Sequence, residues 1–160
     1  MKLFVILITL AVMAGCAKED PVKPHEGDYI VFGSFYGMCQ GEACVEIFKY
    51  EGGKLYEDSR DLYPSMTEMP YSGSYTQIEN KITDELEYLL KNIPQELLDS
   101  GPATFGVPDS RDQGGMILQC KINGAVKYWL LDMNTDALPD YLRNYAERMK
   151  AAIMKIKGIQ

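Results

Sequence analysis

The chain carries four cysteines and one histidine, the side chains best suited to nucleophilic, redox or metal chemistry. Four residues lie between Cys39 and Cys44, and a disulfide between them requires their Cα atoms to come within about 7 Å. A loop this short constrains the unfolded chain little, so the expected gain in stability is modest, on the order of 2 kcal/mol. A thiol-redox motif would have two intervening residues at a helix start, and structural zinc would need four ligands. The spacing therefore indicates a candidate disulfide, with no metal and no cofactor.

Cys120 is left as an odd thiol. It alternates with apolar side chains in a predicted strand, which favours a small, buried, apolar role for it. Pairing with Cys39 or Cys44 is the alternative, because three cysteines leave one unpaired.

The only histidine, His25, lies in residues 17–28, a segment that contains two prolines, many charges and little that is apolar. Such a composition is typical of a flexible tether. A Ser-His or Cys-His pair would need its base in that tether, so the sequence argues against histidine-dependent catalysis. A carboxylate enzyme remains an alternative, with Glu42, Asp109 and Asp112 as its candidate groups.

A polar run at residues 108–115 reads PDSRDQGG. Asp109 and Asp112 could hold a cation or orient an amide, and they are candidate binding residues. The same residue types also make turn hydrogen bonds, and the glycines allow unusual backbone conformations. The spacing does not fit an EF-hand loop.

The N-terminus has the pattern of a removable leader. Lys2 precedes about a dozen apolar residues, which is too short for a membrane-spanning helix but fits the core of a secretory signal peptide. Small residues at 14 and 15 precede Cys16, as in a bacterial lipobox, where the thiol receives a diacylglycerol after export. We therefore predict a signal peptide at 1–15, lipidation of Cys16 and a tether at 16–28, with acyl chains as the membrane anchor.

The residues after Cys16 contain a second localisation signal. Lys18-Glu19-Asp20 is similar to the short export signal of Bacteroidota surface lipoproteins, a lysine followed by two acidic residues. The sequence favours display on the outer surface of the outer membrane, with the periplasmic face as the alternative.

The composition excludes several partners. The 160 residues include 16 basic and 23 acidic side chains, a net charge of −7, and loss of Lys2 with the leader would make it −8. A chain this acidic is a poor candidate for binding nucleic acid or anionic lipid. Removing the first 15 residues leaves 145, enough for a single domain with its own core, predicted at 29–160.

Hydrophobic periodicity and turn signals predict an α+β fold with the order β-β-β-α-β-β-α. The sheet is expected to be antiparallel, built from two hairpin units, with both helices packed on one face. The predicted strands are 29–37, 43–51, 54–58, 116–122 and 125–132. The first predicted helix is capped at Asn80 or Thr83, kinked or restarted at Pro94 and ended by residues 100–102, and the second runs over about 138–157.

Residues 59–79 lack a clear period and are predicted to be one long loop. The loop offers Tyr63, Tyr71 and Tyr75, amphipathic side chains of the kind enriched at interfaces, as candidate binding residues. The alternative is that these tyrosines cover the sheet.

Several segments together resemble a group of Bacteroidota outer-membrane lipoproteins. They include the stretch VFGSFYGMCQGEACVEIFKYEGGKLYED, the run PDSRDQGG, and the Leu-Pro-x-Tyr-Leu of residues 138–142; the similarity covers most of residues 29–156. Many members of that group read CPDC where this chain has Val107-Pro108-Asp109-Ser110, so neither cysteine is present here. The resemblance implies a compartment and a fold but no activity.

A looser likeness, in element order only, is to emfourin-type metalloprotease inhibitors. Taken together, the residues favour a non-catalytic binding or accessory module. Its partner would be an envelope protein or a glycan, or a secreted metalloprotease if it is an inhibitor. A carboxylate-dependent hydrolase is the second alternative.

Overall fold

A computed structural model describes residues 24–158 as a mixed α+β fold. Cys16, the leader and the Lys18-Glu19-Asp20 signal lie outside the described residues. The elements are β1 (Tyr29–Phe35), β2 (Val45–Glu51), β3 (Lys54–Asp58), β4 (Tyr75–Ile78), α1 (Thr83–Lys91), α2 (Gln95–Asp99), β5 (Ala103–Phe105), β6 (Gly115–Ile122), β7 (Ala125–Asp132) and α3 (Asp140–Ile156).

The strands form one seven-stranded sheet in the order β4-β3-β2-β1-β6-β7-β5. The two predicted hairpin units exist, and the antiparallel pairing of β1 with β6 joins them edge to edge. β1 can occupy the centre because its side chains are apolar on both faces, with Ile30 and Phe32 on one and Val31 and Phe35 on the other.

The expected order is wrong in detail, because β4 and β5 were not predicted and β5 pairs with β7 in parallel. These strands have four and three residues, too short to show a period, and they gain their hydrogen bonds from neighbours distant in sequence. The helix expected from about residue 80 or 83 to 100 restarts at Pro94, which is one of the two outcomes that the sequence predicts. Pro94 lacks an N–H and is the N-cap of α2.

One face of the sheet, called here the helix face, holds the larger core. The apolar stripes of α1 and α3 lie on it, as their periodicity predicts, and α2 adds Leu97. Trp129 is fully buried there and donates its indole N–H to Ser100 Oγ and the Gly101 carbonyl, at 3.0 and 3.1 Å. The hydroxyl of Tyr145 on α3 donates to the Leu89 carbonyl on α1, at 3.0 Å, which joins the two helices.

The opposite face, called here the loop face, has a smaller core that is covered by residues 59–74. Met66, Met69 and Tyr71 from this segment pack against Val31, Phe35, Val45, Ile47, Ile117 and Leu130 of the sheet. The segment predicted as an open loop is therefore a cover for one half of the sheet.

Residues 25–28, which precede β1, are bound to the sheet. The His25 N–H donates to Asp28 Oδ2 at 2.7 Å, and the other Asp28 oxygen accepts from the Asn123 N–H at 3.0 Å. This segment, which the sequence predicts as the end of the tether, is thus bound to the turn between β6 and β7.

Candidate functional site

Three chain segments meet at Asp109. Its Oδ2 accepts hydrogen bonds from the Gly37 N–H and the Tyr63 hydroxyl, both at 2.7 Å, and its Oδ1 accepts from the Gly114 N–H at 3.1 Å. One carboxylate therefore joins the turn after β1, the segment that covers the loop face, and the run before β6. A Cβ at position 37 would lie 2.4 Å from Asp109 Oδ2, so a larger residue there would displace this carboxylate.

The run around Asp109 is held in an unfavourable backbone conformation. Asp109, Arg111 and Asp112 all have φ near +60°, and Gly114 has φ of 77°. Left-handed backbone costs on the order of 1 kcal/mol or more for a residue with a side chain, and clusters of it mark sites where function constrains the chain. Asp112 is exposed, and the structure does not bring it to the bonds made by Asp109.

The turn after β1 is closed by a disulfide between Cys39 and Cys44, whose Cα atoms lie 5.5 Å apart. The Tyr36 N–H donates to the Cys44 carbonyl at 2.9 Å, so the turn is tied at its base as well. Cys120 is a free, fully buried thiol, and burial raises its pKa to about 12. It is therefore unsuited to nucleophilic or redox chemistry at neutral pH.

Large apolar side chains are exposed around this junction. Among the described residues six such side chains are exposed, and four of them lie within two positions of Gly37, Tyr63 or Asp109. We call these four the Asp109 surface; they are Met38 (81% exposed), Leu62 (42%), Tyr63 (44%) and Val107 (65%). Exposed apolar side chains gathered at one place mark interaction sites.

Tyr63 is fixed in this surface from two directions. Its ring meets the buried Phe35 ring edge-on, with centroids 5.0 Å apart, and its hydroxyl binds Asp109. Burial, followed by the hydrogen bond to Asp109, raises the Tyr63 pKa to about 12. A cavity of about 300 Å³ opens beside Leu62 and Tyr63, with Arg60 and Glu68 also in its wall.

Tyr71 and Tyr75 lie elsewhere. Tyr71 is buried: its hydroxyl donates to Asp58 Oδ2 at 2.6 Å, and its backbone exchanges hydrogen bonds of 2.7 and 3.2 Å with the Gln119 side chain. Tyr75 is half-buried in β4, and its hydroxyl has no hydrogen-bond partner in the part of the chain that the structure describes. Of the three tyrosines proposed as contacts, the structure therefore brings only Tyr63 to Asp109.

No family model and no curated protein matches the chain.

Carboxylates other than Glu42, Asp109 and Asp112 share concave sites, at more than one place. Glu46, Glu57, Asp58 and Asp61 line a cavity of about 400 Å³ beside β2, β3 and β4. Burial raises the pKa of Glu46 although Lys157 Nζ lies 3.7 Å away. Within residues 24–158, no group of three or more candidate ligands is arranged to hold a metal ion.

Two other expectations concern the same described range. The His25 side chain is exposed, with Nδ1 3.8 Å from Asp28 Oδ2, and it faces no nucleophile among the contacts observed there. No helix within 24–158 is both long and apolar enough to cross a bilayer.

Sequence reasoning identified Asp109 and Tyr63 but missed the apolar half of the site. Met38, Leu62 and Val107 belong to no periodic apolar pattern. The available signal was a large apolar residue in each of three turn-rich segments, which becomes informative only when the fold brings the segments together.

Proposed function

We propose that the protein is a lipid-anchored binding or accessory module, without catalytic activity, that contacts a protein partner through the Asp109 surface. The observation that carries the proposal is the gathering of Met38, Leu62, Tyr63 and Val107 on three segments joined by one carboxylate. Side chains that are held in place before binding lose less conformational entropy on association than side chains on mobile loops do.

The position of the surface suits an anchored protein. Residues 25–28 lie beside Tyr29, at one end of β1, and the Asp109 surface follows Phe35, at the other end. Seven residues of strand span roughly 20 Å. A tether attached to the Tyr29 end would point the Asp109 surface away from the membrane.

The bonding of Asp109 favours a structural role for this carboxylate. Oδ2 accepts two hydrogen bonds from other segments, and Oδ1 accepts one from Gly114 in its own run. A general acid or base needs an oxygen directed at substrate, whereas here the oxygens organise the loops.

A paired substitution in the full-length lipoprotein tests the contact surface. Met38→Ser with Val107→Ser removes the two most exposed apolar groups, and Met154→Ser, on α3, is the control for loss of surface apolarity. We expect the double variant to lose at least ten-fold of its affinity for the envelope partner that co-purifies with wild type, and the control to keep it. Equal retention of that partner by all three proteins would contradict the proposal.

The anchor is a separate part of the proposal. We expect Cys16 to be the acylated first residue of the mature protein, and mass spectrometry of the membrane fraction measures this. Surface display through Lys18-Glu19-Asp20 is tested by protease treatment of whole cells. Wild type should be digested and the triple alanine variant protected, and a protected wild type would place the protein on the periplasmic face.

A second candidate function is inhibition of a secreted metalloprotease. The observation that favours it is the disulfide-closed turn that carries the exposed Met38 side chain. Replacing residues 38–42 by Gly-Ser should abolish inhibition if the turn is the inhibitory element. Absence of inhibition by wild type across a panel of such proteases rejects this candidate.

The carboxylate-dependent hydrolase remains a third candidate because of the cavity that contains Glu46. A raised pKa is a property of general acids, although a structural ion pair such as that with Lys157 occurs in non-enzymes as well. Hydrolysis of any substrate that is abolished in Glu46→Gln would favour the enzyme over the binding module.

A further inference from the structure

The loop face has a second half that residues 59–74 leave uncovered, at the Tyr29 end of the sheet. Strand register places five residues in one row across it, all on the same side because directly paired residues share a face. The row is Lys54, Glu51, Tyr29, Lys121 and Val126.

The adjacent row contributes Lys49, which lies at the centre of this region. Lys49 Nζ lies 4.5 Å from the centroid of the Tyr29 ring and 5.7 Å from that of Tyr75. It is also paired with Glu51 at 2.8 Å. An ammonium group held over two aromatic rings is stabilised by their negative faces, which keeps the charge in a partly desolvated place.

A cavity of about 330 Å³ opens at this point, between the sheet and the segment at Pro70. Its walls include Tyr29, Tyr75, Pro70, Val126 and the Lys49 side chain. The volume lies at the lower end of the range for small-ligand sites, which are mostly apolar with a few placed polar groups. It suits a single saturated six-membered ring.

The charge of this region is opposite to that of the chain. The two rows contain three lysines and one glutamate, whereas the chain as a whole carries −7. No ion pair is observed for Lys54 or Lys121 with another described residue. The region is therefore a local basic site that would attract an anion to a surface that repels anions elsewhere.

We propose that this cavity binds an acidic polysaccharide, with the carboxylate of one uronate ring on Lys49 and the ring itself against the tyrosine and proline walls. A uronate carries its carboxylate directly on the sugar ring. The carboxylate and the ring can therefore fit together into a small site in which the Lys49 ammonium lies over the aromatic rings. Lys54 and Lys121 lie on either side and would meet neighbouring acidic units of the chain.

A single-stranded nucleic acid suits this site less well. Its charge lies on the phosphodiester, one sugar away from the stacking base, and binding requires a long basic groove that tracks the backbone. Here the basic residues are confined to two rows, and the rest of the chain is acidic. The polysaccharide site lies at the opposite end of β1 from the Asp109 surface and does not depend on it.

Isothermal titration of the full-length protein in detergent micelles, with polygalacturonate as the probe, tests the proposal. Wild type should bind polygalacturonate and not the neutral polymer dextran, and the affinity should fall as salt is raised. Lys49→Met should lower the affinity at least ten-fold. Glu51→Gln should raise it several-fold, because it removes the carboxylate that competes for Lys49.

Controls keep the result decisive. Lys81→Met removes an exposed lysine outside the two rows and should leave the affinity unchanged. Lys54→Met with Lys121→Met should weaken binding even if Lys49→Met proves unfolded by circular dichroism. Equal binding to dextran, tighter binding to an oligothymidylate, or full affinity in these lysine variants would overturn the proposal. Loss of the protein partner without loss of polygalacturonate binding would refute the proposed function alone.

Discussion

The two faces of the sheet are held by different forces. The helix face is an apolar core in which α1 and α3 bury regular stripes of side chains. The loop face buries fewer apolar residues, and its cover is held by polar contacts to Asp58 and Gln119, both almost fully buried. The difference indicates that the helix face provides the stability of the domain. The loop face positions a surface segment through a few hydrogen bonds.

The largest expected effect lies on the helix face. Leu86 is fully buried against α3, so Leu86→Ala should lower the free energy of unfolding by about 2–5 kcal/mol through lost burial and a residual cavity. Met69→Ala, at a partly buried position on the loop face, is the matched change and should cost less than half as much. Denaturant unfolding measures both, and equal losses would contradict the proposed division between the faces.

The next effect concerns the buried carboxylate of the loop face. Asp58 accepts from the Tyr71 hydroxyl and from the N–H groups of Ser74 and Arg60, at 2.6, 2.5 and 3.3 Å. Asp58→Ala leaves these donors without an acceptor, at a cost of about 3 kcal/mol. We expect the cost to appear locally, as faster tryptic cleavage after Arg60. If cleavage there accelerates no more than in Leu86→Ala, the cover is not held independently of the core.

Two tyrosine hydroxyls of the loop face differ in whether they have a hydrogen-bond partner. Tyr71→Phe removes the donor to a buried carboxylate and should cost about 1–3 kcal/mol. Tyr75→Phe removes a buried hydroxyl that has no partner within the described residues, so it should be neutral or slightly stabilising. Thermal unfolding of the two variants measures the difference, and an equal loss in both would show that the Tyr75 hydroxyl has a role in the fold.

The smallest effect is a pH dependence at the exposed edge of the loop face. The pKa of Tyr63 is raised from 10 to about 12, first by burial and then by its bond to Asp109. A raised folded-state pKa means that the contribution of this group to stability is complete below pH 10 and is lost as the pH rises from 10 to 12.

Ultraviolet titration of the phenolate against Tyr63→Phe measures this group. The high-pH component should be reduced in the variant, and the variant should lose less stability than wild type between pH 10 and 12. A high-pH component of the same size in the variant and in wild type would contradict the raised pKa of Tyr63.

The contrast between the faces also explains which features the sequence could predict. The Asn123-Gly124 turn, the stripe of α3 and the Cys39–Cys44 spacing are local patterns, and the structure has the hairpin, the helix and the disulfide at those positions. The contacts of the loop face are not local. Asp109 and Gly37 are 72 residues apart, and Tyr71 and Gln119 are 48 apart, so each pair becomes visible only after the sheet has formed.

The burial of residues 59–74 likewise depends on contacts that no local sequence pattern shows. The sequence predicts one long loop here because its apolar residues have no period, and the alternative, that the tyrosines cover the sheet, holds for Tyr71. Its burial depends on Tyr71 reaching two polar groups on β3 and β6 at once, and no sequence pattern encodes that coincidence. The tyrosines therefore looked alike in sequence, although one holds the cover in place and another is part of the exposed surface.

The central claim is that the Asp109 surface meets a protein partner, and photocrosslinking in living cells tests it most directly. A photoreactive amino acid is placed at residue 38, 62 or 107 of the full-length protein, and at residue 154 as the control. The account predicts that the first three positions crosslink to one and the same envelope protein, identified by mass spectrometry, and that position 154 does not. Crosslinks to unrelated proteins from the three positions, or the same product from position 154, would contradict it.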